Sequence, residues 1–396
     1  MKKIILCLFA FILLFPNCKD NNQHNQKNSI KLKFGNYNLT KYKVVKGEFF
    51  GASHEREEYY VIDNIASKLE NKIVINIFST NDGKFIKEIK LNKGNIESPS
   101  LLYAPTYIQS LDENYFIYDL TEKIAVFDKD FNWKFSSRFH SNRNFIDFFK
   151  DKQKIYFLLG AWFRKNNGLD FAVEINEIQT ENNNIVKKTG EIHSFSEEIK
   201  RHLTIKNGVK ILGIDYFTPA VYGFEKKGKL LYTITTENKY SIYNLKNKKE
   251  KSIDLSYLKG KIFKTDDAQK AGYYRSDGWE EKKAKTGFKI NYVPYDKEIY
   301  HLGMYDVGID KIGIVGGINL SEMQIRLDIL NFEVGEYFES IKLPIGKNFL
   351  KGISLFGPGF RPSFFDYAKG VYVWEDKDKN SLESITILTK FKRSTL

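Results

Sequence analysis

The groups with the most chemical potential in this chain are few and scattered. Six histidines are present, His24, His54, His140, His193, His202 and His301, and none has a second histidine or a cysteine at metal-ligand spacing. No His-Glu-x-x-His run, Gly-x-Ser-x-Gly nucleophile elbow or phosphate-cradling P-loop occurs. His54-Glu55-Arg56-Glu57 concentrates four ionisable side chains where a hairpin should turn, so His54 and Arg56 are candidates either for a solvated turn or for a channel-mouth site. Trp162 and Arg164 follow the apolar run Ile155–Leu159. Arg361 lies in Gly357-Pro358-Gly359-Phe360-Arg361-Pro362, where glycine and proline breakers could aim it inward. A guanidinium beside an aromatic ring suits a carboxylate, a phosphate or a sugar acid. Arg361 also has a structural use, stacking on Phe360 or pairing with Asp366. These five residues are the candidate ligand contacts; no catalytic residue, metal set or cofactor is assigned.

The chain has two cysteines. Lys2 and Lys3 precede an unbroken apolar run, Ile4 to Phe15, followed by Pro16, Asn17 and Cys18. A positive start and about a dozen apolar residues make a secretory signal, since a membrane-spanning helix needs ~20. Cleavage before Cys18 removes Cys7 with the signal, 1–17, and leaves one thiol at the mature N-terminus. An unpaired exposed thiol is a liability in an oxidising compartment, and acylation removes it. Leu14-Phe15-Pro16-Asn17-Cys18 resembles the lipobox of bacterial lipoproteins, in the relaxed form found in spirochaetes: Phe15 stands where Leu is preferred and Asn17 where Gly or Ala is. The resemblance implies lipidation of Cys18. An ordinary signal peptide is the alternative. Residues 18–29 then form a polar tether.

Removal of Lys2 and Lys3 lowers the formal charge from +13 to +11. A basic chain can meet nucleic acid or an anionic membrane. These lysines, however, are spread over turns and strand edges, and no arginine cluster, zinc-finger spacing or RNA-binding aromatic signature appears. Nucleic acid is therefore not an expected partner; a solvated surface, with some attraction to anionic head groups, is.

The elements that must position these residues read as strands. Aromatic residues make up 15% of the chain, with many β-branched neighbours. Ile73–Ser79 and Lys84–Leu91 flank Thr80-Asn81-Asp82-Gly83, a strong hairpin signal. The unit recurs as Ile124–Asp128 with Trp133–Phe139, Phe171–Ile178 with Ile185–Ile192, Tyr240–Leu245 with Lys251–Leu255, and Gln324–Asn331 with Tyr337–Leu343. Upstream of each lies a second hairpin, a short polar turn followed by an apolar strand: before Tyr59, Tyr115, Ile155, Leu230, Ile312 and Val371. Two hairpins make a four-stranded antiparallel blade, and six blades make a β-propeller over 30–396. Insertions fall near 195–213 and 257–297, the second with a charged helix around Trp279 and a strand over Phe288–Val293. The last blade lacks one strand, and Ile30, Leu32 and Phe34 could supply it from the N-terminus, removing an open edge. Gly313-Ile314-Val315-Gly316-Gly317 reads as strands crowding near the axis. A seven-bladed ring, an irregular β-sandwich and two β domains are the alternatives.

These units resemble the six-bladed propeller lipoproteins of Bacteroidetes and spirochaetes, similar in form to NHL and YVTN repeat propellers. Val126-Phe127-Asp128 followed by Trp133-Lys134-Phe135 is similar to their recurring outer hairpin. The resemblance implies a monomeric propeller held by lipid on a bacterial membrane, the outer membrane above all, binding a protein or small ligand. A hydrolase or lyase with a channel-bound metal is the alternative, and a glycan binder a third reading.

Overall fold

The computed structural model describes residues 32–393 apart from 95–101, 120–122, 139–142, 153, 166–167, 180–184, 199, 207–208, 216–220, 235–236, 259–262, 265–287, 290–297, 300, 302, 309, 320–321, 347–362, 379 and 382. Its strands are β1 (Tyr37–Lys46); β2 to β5 (Glu48–Ser53, Glu58–Ile62, Lys72–Ser79, Phe85–Asn92); β6 to β9 (Pro105–Leu111, Asn114–Asp119, Lys123–Phe127, Trp133–Arg138); and β10 to β13 (Arg143–Asp151, Lys154–Lys165, Gly168–Gln179, Ile185–Glu198). There follow β14 and β15 (Lys200–Lys206, Val209–Asp215), then β16 to β19 (Val221–Lys226, Lys229–Ile234, Lys239–Asn244, Glu250–Asp254). After the two-residue strands β20 (Phe263–Lys264), β21 (Phe288–Lys289) and β22 (Glu298–Ile299) come β23 to β26 (Met304–Asp306, Lys311–Asn319, Gln324–Asn331, Tyr337–Pro344). The last are β27 to β29 (Ser363–Asp366, Val371–Lys377, Ser384–Arg393).

Six antiparallel four-stranded sheets result: β2–β5, β6–β9, β10–β13, β16–β19, β23–β26, and β27-β28-β29-β1. They are blades 1 to 6. The ring is six-bladed, and the seven-bladed alternative is excluded by what packs between the sheets. Among the described residues six buried apolar clusters are present, one at each joint. Ile75 meets Ile117 between blades 1 and 2, Phe116 meets Phe157 between 2 and 3, and Val173 meets Tyr232 between 3 and 4. Leu231 meets Ile312 between 4 and 5, Leu327 meets Trp374 between 5 and 6, and Val61 meets Val373 between 6 and 1. The last joint closes the circle.

This packing explains the apolar second strands. In β3, Tyr59 and Val61 face blade 6 while Tyr60 and Ile62 face blade 2. A strand buried on both faces must be apolar throughout. The outer strands are different: β1 is exposed along almost its whole length and carries Lys41, Lys43 and Lys46, charges that protect an open edge. Part of the positive charge therefore lies on the outer edge of blade 6.

The outer turns repeat one chemistry. Asp128 Oδ1 accepts the amides of Asp130 and Asn132 at 2.9 and 2.8 Å. Asn244 and Asn331 do the same for the residues two and three positions on. Phe131, Lys248 and Gly335 then take positive φ, the left-handed residue that brings the chain back into register. A short helix, α1 (Asn64–Glu70), joins β3 to β4, capped by Asp63. No helix among the described residues is long and apolar enough to cross a membrane.

Two expectations are corrected. The strand that completes blade 6 comes from the N-terminal side, but it is Tyr37–Lys46, paired with β29 from Tyr37↔Arg393 to Lys46↔Ile385. Phe34 makes only an isolated parallel bridge to Ser340 of blade 5, Leu32 lies in no strand, and Ile30 is outside the described residues. Tyr37 fixes the crossing: its hydroxyl and that of Tyr367 both donate to buried Glu339, and its ring packs edge-on against Phe391 at 5.6 Å. The second correction concerns Gly313–Gly317. This segment is in β24, the second strand of blade 5, and not at the axis. A Cβ on Gly316 would lie 2.3 Å from Asp328 Oδ2 and 2.6 Å from Arg326 Nη2, so the glycine makes room for a buried ion pair.

Between blades 3 and 4, β14 and β15 form a hairpin outside the blades, and β21 joins β15 in parallel through Lys210↔Phe288. Of the expected strand over Phe288–Val293, Phe288–Lys289 is formed; Trp279 and its neighbours are outside the described residues.

Candidate functional site

Each blade begins with a strand that is an edge of its sheet: β2, β6, β10, β16, β23 and β27. Their free edges face the axis and enclose a cavity of about 370 Å³, lined by residues from all six. An edge strand presents unpaired backbone N–H and C=O groups, so the wall supplies donors and acceptors before side chains are counted. Gly51 permits the closest crossing; a Cβ there would sit 2.2 Å from the Ile108 carbonyl oxygen.

The turns between first and second strands ring one mouth. Each holds a residue with positive φ: Glu57, Asp112, Lys152, Lys227 with Gly228, Gly308 and Gly370. Short polar turns of this kind pin the last residue of every inner strand in place, and those residues are charged in several blades. Lys226 of blade 4 is buried and paired with Asp306 of blade 5, with Lys227 on Asp310 beside it. Lys150 of blade 3 donates to Asp112 of blade 2 at 2.6 Å. Glu57 of blade 1 pairs with Lys369 of blade 6.

His54 and Arg56 belong to the blade 1 turn, as expected, but they divide. His54 lines the cavity. Its ring packs 4.4 Å from that of Phe364, and Nδ1 is 3.4 Å from Asp366 Oδ2. Burial pushes the Asp366 carboxyl up, but the His54 contact and the Lys369 amide outweigh it and leave it below the usual range. Arg56 turns away to clamp blade 1 on blade 2. Its guanidinium lies 4.5 Å over the Tyr115 ring, donating to the Tyr115 hydroxyl at 2.8 Å and to the Asp112 carbonyl at 2.7 Å.

Trp162 and Arg164 lie on β11, opposite Phe171 and Leu169 of β12. They run past the start of β10, which pairs no further than Ala161, so they sit toward the other end of the channel from His54. Arg361 and Cys18 are outside the described residues; Asp366, one suggested partner of Arg361, is engaged by His54.

The sequence reading missed the acidic side of the mouth: Asp112, Asp147, Glu225 and Asp306 all line the cavity. Asp147 is buried and accepts from the Tyr107 hydroxyl at 3.3 Å and the Phe148 amide at 2.9 Å. Glu225 accepts the Gly228 amide at 2.6 Å. Burial holds its carboxyl above the usual range, and the charges of Asp151 and Asp306 add to this. Asp306 ends an inner strand, Asp112 opens the turn after one and Glu225 stands next to last in its strand, positions readable from sequence once the blades are aligned. Among the described residues no three His, Cys, Asp or Glu side chains are grouped to hold a metal ion.

No family model matches the chain, and no curated protein matches it. Among solved structures it is similar to a protein of Bacteroides fragilis described as exported, with 9% identity and TM-score 0.39 over 93% of this chain and 98% of that one. It is also similar to BamB from Moraxella catarrhalis, with 7% identity and TM-score 0.36 over 91% and 99%. Kluyveromyces lactis Hsv2 gives 7% and 0.37 over 87% and 99%. At such values the likenesses carry no argument of their own, and the fold rests on the strand order and the six joints.

Proposed function

We propose that this chain is a lipid-anchored protein of the bacterial envelope whose propeller is a binding module, with the ligand taken at the ringed mouth of the central channel. The observation that carries the binding reading is the cavity itself. At about 370 Å³, with all six inner strands contributing, it is of the size that small molecules occupy. The anchor rests on Lys2-Lys3, the Ile4–Phe15 run and Cys18. Thirteen residues lie between Cys18 and Leu32, a tether of at most ~50 Å. Its far end meets the outer rim of blades 5 and 6 through Phe34 and Tyr37, an attachment that leaves both channel mouths open. The protein acts as a monomer on the outer membrane, on its periplasmic or surface side, with a small molecule or protein partner and no nucleic acid.

Mass spectrometry of the mature N-terminus tests the address: a diacylglyceryl increment on Cys18 supports it, and a free N-terminus at another residue rejects it. Thermal-shift screening of metabolites tests the binding reading. A hit lost when Gln109, in the channel wall, is changed supports the site, and a hit indifferent to it moves the ligand elsewhere.

A further inference from the structure

Resting on that channel reading, we propose that the cavity takes a small organic cation, a primary amine on an apolar body, with its ammonium against Glu225 at the joint of blades 3 and 4. At four of its six joints the mouth holds a cation that bonds across to the next blade. Arg56 reaches from blade 1 to the Asp112 carbonyl of blade 2, Lys150 joins 3 to 2, Lys226 joins 4 to 5, and Lys369 joins 6 to 1, where His54 also hydrogen-bonds Asp366. At the joint of blades 3 and 4 the ring holds two acids instead. Asp151 ends β10, Glu225 stands next to last in β16, and the field of Asp151 reaches Glu225.

The imbalance extends into the cavity. Its lining includes Glu55, Asp112, Asp147, Glu225 and Asp306 against Lys150 and His54, in a chain whose formal charge is +13. Lys150 is taken by Asp112 and His54 by Asp366, and of the acids Asp306 is met by Lys226 from outside the lining, which leaves Glu225 as an acid without an ion-pair partner among the described residues. A low-dielectric wall focuses such a field inward. Tyr107 and Tyr305 add aromatic surface, which favours a cation on a flat or aliphatic body over a bare metal ion. An ammonium at Glu225 would supply there the positive charge that four of the other five joints draw from the protein.

The test is calorimetric titration of the purified full chain in detergent with 2-phenylethylamine and with phenylacetate, which shares the ring and reverses the charge. The amine should bind and the acid should not. Glu225→Gln keeps an acceptor for the Gly228 amide, so it should fold, and it should weaken the amine by at least about tenfold. Gln109→Lys places a tethered cation in the wall; it should weaken the amine similarly and admit phenylacetate. Amine affinity should rise with pH through and slightly above the ordinary carboxylate range, as Glu225 loses its proton. Phenylacetate binding the unaltered chain as well as the amine, or neither probe binding at millimolar concentration, overturns the cation and leaves the channel reading standing. Amine binding that Gln109→Lys does not change overturns the channel reading itself.

Discussion

Two clusters of charge in this propeller obey opposite rules. Inside blade 5, Asp328 is fully buried, and Arg326 donates to it through Nε at 2.9–3.0 Å. Ser340 adds a hydroxyl at 2.6 Å, and the other end of Arg326 reaches the Gly316 carbonyl at 2.7 Å. That cluster is closed: each group has its partner within one sheet, and a glycine has been cleared to fit it. The channel mouth is open. Its pairs run between blades, its exposed members face a cavity, and its acids outnumber its cations. A sealed pair tolerates no change because nothing can replace a lost partner. An open ring can exchange partners with solvent or ligand, which is what a binding site requires.

The sharpest way to break this contrast is Asp328→Ala. It strands Arg326 inside the sheet and should cost about 3–5 kcal/mol, read as a large fall in the urea midpoint; a loss under ~1 kcal/mol would show that the cluster is not sealed. His301 is a second buried group, bonded through Nε2 while its Nδ1 has no hydrogen-bond partner among the described residues. The Thr233 hydroxyl donates to the Lys239 carbonyl at 2.8 Å, so it must accept from His301 Nε2, also at 2.8 Å. Burial drives the imidazole down to about 4. It stays neutral in the fold while the unfolded chain takes up its proton below ~6.5. Its contribution is therefore full above ~6.5 and lost as pH falls toward 4, at up to about 1.4 kcal/mol per pH unit. His301→Phe should flatten that part of the stability profile, measured by denaturant titration at several pH values.

Gly316→Ala pushes a methyl against Asp328 and Arg326 and should cost about 1–3 kcal/mol, visible as a lowered melting temperature. At the mouth the effects should be smaller. Lys226→Met keeps the buried stem and leaves Asp306, whose side chain is 29% exposed, able to find water and the Gly308 amide; about 1 kcal/mol or less is expected in the same melt. Glu225→Gln should fall within about 0.5 kcal/mol of the unaltered chain at neutral pH. If the mouth variants prove as costly as those in blade 5, the ring is a structural girdle, and the distinction collapses.

Much of the blade plan was legible because local chemistry writes it. The Asp128, Asn244 and Asn331 turns announce themselves by side chains that bond their own backbone, and runs such as Tyr59–Ile62 are apolar because neighbouring blades cover both faces. The closing strand was legible in kind but not in place. Leu32 and Phe34 alternate with lysine at least as regularly as anything in Tyr37–Lys46 does, and only contact with β29 on one side and β26 on the other separates an edge strand from the approach to it. The glycines of β24 were read as crowding, but the crowding groups are Leu327 at Gly313 and Asp328 with Arg326 at Gly316, on the neighbouring strand and not at the axis.

For the candidate site the division is sharper. Alternating hairpins, the polar turn after each inner strand and the placing of His54 and Arg56 in one such turn could all be read from the chain, since each depends on residues within a few positions. Which of the two faces the cavity, which acid meets which lysine, and where the ring of pairs is left with two acids were decided only by tertiary structure. Lys226 and Asp306 are eighty residues apart, and His54 and Asp366 three hundred and twelve. Circular closure of six sheets is what brings them within hydrogen-bonding reach, and no local preference encodes that distance.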